Sequence, residues 1–283
     1  MTNKTSHNNQ RKAAVINDFS GFGRCSTAVA LPILSAMKVQ CCVVPTAIFS
    51  NHTGFESFFV EDYTENMESY IQEWKKLDLR FEAIVSGFLA SEEQIKIVEK
   101  FISDFKDHRT TVIVDPVMGD YGKLYSTYKA QTAIEMKNLV NYADILTPNL
   151  TEACILVGES YRQNPSQSFL KSLCERLWEN GAGPDKIVIT GLENDNSISN
   201  FIFESASGFS EISRKKTGIQ RSGTGDVFSS IITACAVRKI DFEKSVSLAA
   251  EFIAKAIERS TELEIPVSDG VCFEEILGDV TSI

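Results

Sequence analysis

TVIVDPVMGD, residues 111–120, contains the pattern from which the architecture of this chain follows. Thr111–Val114 is apolar and β-branched along its whole length, which is typical of a strand buried on both faces. A polar loop with a glycine follows at once, and the amphipathic stretch Glu92–Phe105 precedes the run. This combination predicts one strand of a parallel sheet that helices cover on both sides.

Five further apolar runs alternate with helix-like stretches in the first two thirds of the chain. The runs are Ala13–Ile16, Cys41–Ile48, Ala83–Val85, Asp144–Leu146 and Lys186–Ile189. The amphipathic stretches between them include Asn66–Leu77 and Ser166–Trp178. The alternation predicts an α/β fold of three layers, in which a central, mostly parallel sheet has helices on both faces.

The pattern changes after residue 197. Ile198–Glu204 and Phe209–Arg214 flank the sequence Ser-Ala-Ser-Gly. Two strand-like runs around such a turn predict a small antiparallel hairpin in the C-terminal third of the chain. Two helices are expected after it, at about Asp226–Arg238 and Phe242–Thr261.

Length and composition are those of a globular protein. The chain has 283 residues, of which 43% are hydrophobic and 23% charged, and this balance allows a sizeable core. It contains no repeat, no low-complexity tract and no linker rich in Pro or Gly. We therefore expect one domain over residues 13–283, preceded by a polar, disordered N-terminal tail over residues 1–12.

Charge and cysteine content limit the partners and the compartment. The formal net charge of -10 argues against a nucleic-acid partner or an anionic membrane. No apolar stretch approaches the ~20 residues of a membrane span, and the N-terminus lacks the apolar core of a signal peptide. Seven cysteines without a C-x-x-C pair indicate free thiols in a reducing compartment. We expect a cytoplasmic protein.

Polar or glycine-containing segments follow all six apolar runs. They are Asn17–Gly21, Phe49–Gly54, Ser86–Phe88, Asp115–Asp120, Thr147–Glu152 and Thr190–Gly191. Each segment alone would be only a turn. In open α/β sheets, however, ligands bind beyond the carboxyl ends of the strands. Together the six segments predict one binding rim that is dense in carboxylates and hydroxyls.

The sharpest local motif is Arg221–Ser230, RSGTGDVFSS. Its glycines let the backbone approach a ligand, and the helix that follows offers unpaired N–H groups and the positive end of its dipole. This predicts an anion site in which Asp226, with an ordinary carboxyl pKa near ~3.9, meets a hydroxyl that attacks the bound phosphate. The alternative is a helix cap after a simple turn. Walker and dinucleotide motifs are excluded, because no Gly-Lys-Ser/Thr follows and Phe228 replaces the third glycine.

Two acidic loops are candidates for a metal site. Asp115 and Asp120 lie five residues apart in a glycine-containing loop and could reach Mg²⁺ directly or through water. Glu152 lies at the start of a helix and could hold metal-bound water. The alternatives are a solvated strand-end turn for the first loop and a capping box of Asn149 with Glu152 for the second. His52 is assigned no catalytic role, because a histidine that is held by structural hydrogen bonds is commoner than one that acts as a general base.

These motifs resemble the ribokinase superfamily and, within it, the pyridoxal (vitamin B6) kinases. The resemblance runs from about Ala14 to Ala256. Gly223–Asp226 is shared by the whole superfamily, whereas Ser50–Gly54 is much narrower and points to the B6 kinases. The related hydroxymethylpyrimidine kinases have a loop after the first strand that ends in Gln-Ala-Asp, and Asp18–Arg24 lacks that ending.

The resemblance implies a ribokinase-like fold and transfer of the γ-phosphate of ATP to the 5′-hydroxymethyl group of pyridoxal, pyridoxine or pyridoxamine. It implies that Asp226 is the catalytic base and that Gly223, Thr224 and Gly225 hold the transferring phosphate. The expected cofactors are ATP, Mg²⁺ and K⁺. Members of the family usually form homodimers.

Further roles follow from the same resemblance. The residues expected to organise Mg²⁺ are Asp120 and Glu152. Those expected to line the ATP phosphates and the monovalent-cation region are Asp115, Thr147, Asn149 and Thr190. Those expected to contact the substrate ring are Asp18, Thr53 and Phe88. Lys215–Ser222 is expected to be a flap over the phosphates.

Two residues depart from the B6 kinases, which carry Ser at the position of Asp18 and Tyr at that of Phe88. The carboxylate of Asp18 could pair with a protonated ring nitrogen or with the aminomethyl cation of pyridoxamine, so we hypothesise a preference for pyridoxamine or pyridoxine over pyridoxal. Two rival functions stay open at this point. One is a kinase for hydroxymethylpyrimidine or a sugar, and the other is a non-catalytic nucleotide or B6 sensor.

Overall fold

A single nine-stranded sheet runs through the protein. The computed structural model describes residues 6–125, 128 and 130–281. The strands are β1 (Lys12–Phe22), β2 (Gln40–Asn51), β3 (Val60–Asp62), β4 (Ala83–Ser86), β5 (Thr111–Val114), β6 (Gly119–Asp120), β7 (Lys123–Leu124), β8 (Ile145–Leu146), β9 (Lys186–Glu193), β10 (Ser197–Glu204) and β11 (Gly208–Lys215). The large sheet has the order β11-β10-β9-β8-β5-β4-β1-β2-β3, and β6 pairs separately with β7.

Helices connect most of the strands. They are α1 (Ser26–Ala36), α2 (Thr64–Lys76), α3 (Glu92–Phe105), α4 (Ala130–Val140), α5 (Leu150–Val157), α6 (Gln167–Trp178), α7 (Thr224–Val237) and α8 (Phe242–Glu262). The six central strands, from β9 to β2, pair in parallel. β10 and β11 extend the sheet antiparallel at one edge, and β3 does so at the other.

The core lies on both faces of the sheet. On β1, Ala14 and Ile16 pack in a cluster with residues of α2 to α6, whereas Ala13 and Val15 pack in a second cluster with residues of α1, α7 and α8. Successive side chains of a strand point to opposite faces. A strand that is covered on both sides therefore has to be apolar at every position, and this is the physical origin of the uninterrupted apolar runs.

The structure confirms the predicted fold class. β5 and α3 have the predicted bounds, Thr111–Val114 and Glu92–Phe105. The expected hairpin is β10–β11, in which Glu204 pairs with Gly208. The helices α1 and α4 and the short strands β3, β6 and β7 were not predicted. No helix within the described ranges is both long and apolar enough to cross a membrane.

The expectation for the N-terminus needs correction. β1 begins at Lys12, and this residue is buried. Its amide donates to Glu82 at 2.8 Å, and its ammonium group donates to the carbonyl of His7. Asn8 also bonds to the backbone of Asp78. Residues 7–12 are therefore held against the sheet by hydrogen bonds, and residues 1–5 of the predicted tail lie outside the described part.

Candidate active site

A cavity of about 1240 Å³ lies along the carboxyl ends of the parallel strands. Its lining includes every residue to which the sequence assigned a role: Asp18, Thr53, Phe88, Asp115, Asp120, Thr147, Asn149, Glu152, Thr190, Gly223, Thr224, Gly225 and Asp226. The six loops of the predicted rim therefore meet around one space. The sheet order places the C-terminal ends of β1 and β2 at one end of this space. The C-terminal ends of β9 and β11 and the start of β10 lie at the other end, and the C-terminal ends of β5 and β8 lie between them.

The N-terminus of α7 opens into the middle of the cavity. Gly223 precedes the helix with φ +83°, and no side chain caps the first turn. An added Cβ at Gly223 would lie 2.0 Å from the carbonyl oxygen of Arg24, so only glycine fits there. An added Cβ at Gly225 would meet nothing within 4 Å. The uncapped amides of the first turn thus face open space, which is the arrangement that binds phosphate groups.

Asp226 lies in this first turn and faces two residues from other segments. The side chain of Asn17 and the amide of Ser26 lie near its carboxylate and act to lower its pKa. The oxygen of Asn17 accepts from the amides of Asp18 (3.0 Å) and Phe88 (2.9 Å), and these bonds fix the orientation of its side chain. Ser26 adopts φ +54°, which is uncommon for a residue other than glycine. The orientation of Asp226 is therefore set by β1 and α1.

Asp18 lies next to this group and is buried. Its carboxylate accepts a 2.6 Å hydrogen bond from Ser26 Oγ and a 3.3 Å bond from Ser20 Oγ. Ser26 thus lies between two carboxylates, with its hydroxyl bonded to Asp18 and its amide near Asp226. Loss of water around the carboxyl group is the main cause that raises the pKa of Asp18.

The pKa of Asp226 is raised to about 7. Loss of water around the carboxyl group is the largest cause, and the negative charge of Asp18 adds to it. The donors from Ser26 and Asn17 act in the opposite direction without cancelling the rise. The ordinary carboxyl pKa expected from the sequence was therefore wrong. A base with a pKa near the working pH is well matched to proton transfer.

Buried carboxylates also lie in the central part of the cavity. Asp115 follows β5 and Glu152 lies in α5, and loss of water is the first cause that raises the pKa of both groups well above its usual range. The charge of Asp226 raises the pKa of Asp115 further, and Asp115 does the same to Glu152. Thr147 Oγ1 is buried in the same region without a hydrogen-bond partner among the described residues. Like charges beside an unpaired oxygen are a suitable environment for a cation.

The donor set fits Mg²⁺ only in company with a ligand. No three His, Cys, Asp or Glu side chains in the described part of the chain are grouped closely enough to hold a metal ion by themselves. Mg²⁺ commonly takes one or two carboxylates together with water and substrate phosphates, so the carboxylates at 115, 120 and 152 would suffice beside a nucleotide. The whole cavity is acidic. Its carboxylates are Asp18, Asp115, Asp120, Glu152, Glu193, Asp195 and Asp226, and its cations are Arg214, Lys215, Lys216 and Arg221.

Glu152 and Asn149 form a capping box, which was the alternative reading of this motif. Asn149 Oδ1 accepts from the Glu152 amide at 3.0 Å, and Glu152 Oε2 accepts from the Asn149 amide at 2.8 Å. The second oxygen of Glu152 accepts from the Met118 amide, and Asn149 Nδ2 donates to the carbonyl of Gly119. Both residues also line the cavity. Their visible role is to hold the acidic loop after β5 in place.

The segment between β11 and α7 reaches across to the acidic loop. Gln220 donates to Asp120 Oδ2 at 3.5 Å and accepts a hydrogen bond from the Tyr121 hydroxyl. Residues 214–225 all line the cavity. This is the position expected of a flap over bound phosphates. Thr190, within β9, also lines the cavity.

Aromatic side chains mark the end of the cavity beside β1 and β2. Phe88 packs edge-on against Phe49, with ring centroids 6.1 Å apart. Thr53 is exposed on the loop after β2 and lines the cavity. His52 Nδ1 accepts from the Gly54 amide and Nε2 lies 2.8 Å from the Ser268 carbonyl oxygen. The histidine therefore holds two loops together, as the structural reading of the sequence expected.

The sequence did not reveal several residues of the site. Asn17 and Ser26 orient Asp226 but belong to unremarkable Asn-Asp and Cys-Ser pairs. The apolar wall of the far end comes from α8 and β10. Its residues are Ile198, Ala250, Ile253, Ala254 and Ile257. Positions of this kind are indistinguishable from core positions in a helix pattern.

A family model described as phosphomethylpyrimidine kinase matches residues 31–268, which is most of the chain. The chain belongs to the phosphomethylpyrimidine kinase family. The cavity described above thus lies in a chain of this kinase family. The resemblance that the motifs suggested is confirmed at this level.

Relatives within the family divide between two substrate classes. The chain is 25% identical over 264 residues to a pyridoxine/pyridoxal/pyridoxamine kinase of Bordetella avium, a match that covers 88% of this chain and 86% of that protein. It is 29% identical over 225 residues to a hydroxymethylpyrimidine/phosphomethylpyrimidine kinase of Bacillus subtilis, covering 76% and 77%. The chain spans 44% of the length of a chloroplastic thiamine biosynthetic bifunctional enzyme of Arabidopsis thaliana, at 25% identity. It spans 63% of a provisionally named pyridoxal kinase of Saccharomyces cerevisiae, at 28% identity.

Solved structures of the family have the same fold. A provisionally named phosphomethylpyrimidine kinase of Bacteroides thetaiotaomicron is 34% identical and superposes with a TM-score of 0.93, covering 98% of this chain and 96% of that one. A second crystal form of that protein, with pyridoxal, gives a TM-score of 0.91 and covers 96% of each chain. A pyridoxal kinase of Lactobacillus plantarum, 23% identical, superposes at 0.88 and covers 96% of this chain and 97% of its own. The ribokinase-like fold is therefore confirmed.

Proposed function

We propose that this protein transfers the γ-phosphate of ATP to the 5′-hydroxymethyl group of a B6 vitamer, with Asp226 as the base. The observation that carries the proposal is the position of Asp226 in the first turn of α7. Its carboxylate lies beside the uncapped amides of a glycine turn, inside one cavity that extends in both directions. A hydroxyl at one side of Asp226 and a phosphate at the other would meet there.

The order of the sheet supports an assignment of the two ends. The end beside β1 and β2 has Phe49, Phe88 and Thr53 for a planar ring with polar substituents. The end beside β9 to β11 has the apolar wall of α8 and the basic flap, which suit an adenine base and its phosphates. We assign the substrate to the first end, hereafter the substrate end, and ATP to the second, the nucleotide end. The phosphates then lie between them, over the N-terminus of α7.

Asp226 would accept the proton of the hydroxymethyl group as its oxygen forms a bond to the γ-phosphorus. The bond from that phosphorus to the β–γ bridging oxygen breaks, and ADP leaves with the electron pair. Catalysis of this transfer is mostly positioning and electrostatic stabilisation. Gly223, Thr224 and Gly225 provide amides for the phosphate oxygens, and Asn17 with Ser26 holds the base in place. A pKa of about 7 keeps Asp226 ionised in a large fraction of molecules at neutral pH.

Cations are needed because the cavity is acidic. We assign Asp120, with Glu152 acting through water, to the organisation of Mg²⁺, and Asp115, Thr147 and Thr190 to the phosphate and monovalent-cation region. Asn149 acts indirectly, since its side chain holds the loop that carries Asp120. The metal ion, when bound with the nucleotide, supplies charge neutralisation for the phosphates.

Hydroxymethylpyrimidine is the second candidate substrate, and the family model supports it. A B6 vitamer is favoured over hydroxymethylpyrimidine because a relative that is 34% identical was crystallised with pyridoxal. The test is multiple-turnover ADP release by the full chain with Mg²⁺-ATP and, side by side, pyridoxal, pyridoxine, pyridoxamine, hydroxymethylpyrimidine and ribose. We expect a B6 vitamer to give the highest kcat/KM. A higher kcat/KM for hydroxymethylpyrimidine would favour the second candidate, and no substrate-dependent ADP release would refute the kinase proposal.

A homodimer is the oligomeric state that we propose, on the basis of one exposed apolar surface. Phe19 of β1 and Ile48 of β2 are cross-strand neighbours, and each is 43% exposed. Phe59, just before edge strand β3, continues the surface and is 65% exposed. Contiguous apolar surface at a sheet edge commonly marks an interface. Light scattering should give twice the monomer mass for the wild type and the monomer mass for Phe59→Asp.

A further inference from the structure

Three of the four basic side chains in the described lining of the cavity lie at its β11 end. The four are Arg214, Lys215, Lys216 and Arg221, on the end of β11 and the flap. β11 forms the sheet edge remote from β1 and β2. Lys216 pairs with Glu193, and Arg221 donates to the carbonyls of Ile265 and Pro266. The nucleotide end therefore has three of the four cationic residues in the described lining, and Arg221, near the N-terminus of α7, donates to backbone carbonyls.

The substrate end has negative charge, and no described Lys or Arg of the lining lies there to offset it. Arg24, the basic residue nearest in sequence, bonds to Glu274 at 2.7 Å and is not part of the lining. His52 also lines the cavity, and its two ring nitrogens contact the amide of Gly54 and the carbonyl of Ser268. The charged groups that remain there are the carboxylates of Asp18 and Asp226.

From this distribution we propose that the site accepts a hydroxymethyl heterocycle without a phosphate and rejects the same heterocycle once it is phosphorylated, with Asp18 as the residue that sets this selectivity. The inference rests on the proposed function and narrows its substrate class. A phosphate monoester carries about -1.5 to -2 charges near pH 7. It would enter a space that contains two carboxylates, while the amides of α7 are occupied by the γ-phosphate of ATP.

The chemistry of a first and of a second phosphorylation leads to the same distinction between an alcohol acceptor and a phosphate acceptor. When the acceptor is an alcohol, its proton passes to Asp226 as the new oxygen–phosphorus bond forms. When the acceptor is a phosphate dianion, an unprotonated oxygen forms the bond to the γ-phosphorus and ADP leaves as before. That acceptor has no proton for Asp226 to take. The buried base then offers only repulsion, so this constellation suits the first phosphorylation and opposes a second.

The same charges favour a cationic substituent on the ring. Asp18 is buried, and its carboxylate accepts hydrogen bonds from the hydroxyls of Ser20 and Ser26, so no described Lys or Arg pairs with it. An aminomethyl group, as in pyridoxamine, would supply the missing positive charge. A neutral hydroxymethyl group at that ring position, as in pyridoxine, would not.

The experiment measures kcat/KM at pH 8.5, where the base is ionised, for two substrate pairs. The first pair is hydroxymethylpyrimidine and phosphomethylpyrimidine, and the second is pyridoxamine and pyridoxine. The proteins are the wild type, Asp18→Asn, Asp18→Ser and the control Asp185→Asn. Asp185 is exposed and lies before β9, at the opposite end of the sheet from the cavity. Ratios within a pair cancel any general change in catalytic power.

We expect the wild type to favour hydroxymethylpyrimidine over phosphomethylpyrimidine by about 100-fold or more, the size of a like-charge penalty in a closed site. Asp18→Asn and Asp18→Ser should reduce this ratio and the pyridoxamine preference on the order of tenfold, and Asp185→Asn should change neither. Turnover of phosphomethylpyrimidine within tenfold of hydroxymethylpyrimidine by the wild type would overturn the inference and leave the kinase proposal intact. If hydroxymethylpyrimidine is not turned over, the ratio of kcat/KM for pyridoxamine to kcat/KM for pyridoxine tests the inference instead. A ratio that is unchanged in both Asp18 variants overturns it. Absence of ADP release with every acceptor would refute the proposed function itself.

Discussion

Replacing Asp18 by asparagine is expected to move the acid limb of the kcat/KM profile to lower pH. The limb reports the pKa of the base in the free enzyme, and for Asp226 this pKa is raised from 3.8 to about 7. The rise corresponds to about 4 kcal/mol. Burial is the larger cause and the charge of Asp18 a smaller one, so we assign Asp18 on the order of 1 kcal/mol, or roughly one pH unit.

The assay is ADP release with a saturating amount of Mg²⁺-ATP and a low concentration of the best vitamer, between pH 5 and 9. The wild-type limb should have its midpoint near pH 7, and that of Asp18→Asn should lie about one unit lower. Because the two carboxyl groups interact, the wild-type midpoint belongs to the pair. The control Asp185→Asn should keep the wild-type midpoint. A midpoint for Asp18→Asn that is equal to or above the wild-type value would refute the electrostatic coupling between Asp18 and Asp226.

Three further predictions concern stability and cations. Asp226→Asn should raise the free energy of unfolding at pH 8 by about 1–4 kcal/mol and change it little below pH 4. The reason is that the raised pKa of Asp226 makes the folded state lose stability as the pH increases from about 4 to 7. Denaturant titrations at both pH values test this, and an equal gain at both would contradict it. Gly223→Ala should cost about 2 kcal/mol or more, since its Cβ would lie 2.0 Å from a carbonyl oxygen at φ +83°. Gly225→Ala, with open space around its Cβ, should keep the Tm and raise the KM for ATP; equal Tm losses would contradict this distinction. Calorimetry should show that ATP without Mg²⁺ binds at least about tenfold more weakly, because carboxylates outnumber cations in the lining.

The fold could be predicted from the sequence wherever the spacing of the apolar residues clearly indicated a strand or a helix. β5 and α3 were predicted with their bounds because one is uniformly apolar and the other is strongly amphipathic. α1 was missed because its sequence, STAVALPILSA, is apolar on most sides and contains Pro32, so it lacks the stripe that identifies a helix. The two-residue strands β6 and β7 are too short to show any period.

The candidate site was predictable where motifs follow strands and not where distant segments meet. Asp226 was found from its glycine turn, but its raised pKa depends on burial and on Asp18, which lies 208 positions earlier in the chain. Asn17 and Ser26 were missed because their donors meet Asp226 only in the folded chain. Glu152 fitted two readings at once, since one side chain caps α5 and lines the cavity.

The catalytic role of Asp226 can be tested most directly with Asp226→Asn, a substitution that keeps the shape of the side chain and removes its basicity. Single-turnover transfer to the best acceptor should fall by a factor on the order of 10² to 10⁴, while calorimetry gives a Kd for Mg²⁺-ATP close to the wild-type value. Transfer at the wild-type rate by a folded Asp226→Asn protein would show that the base is another group and would contradict the account.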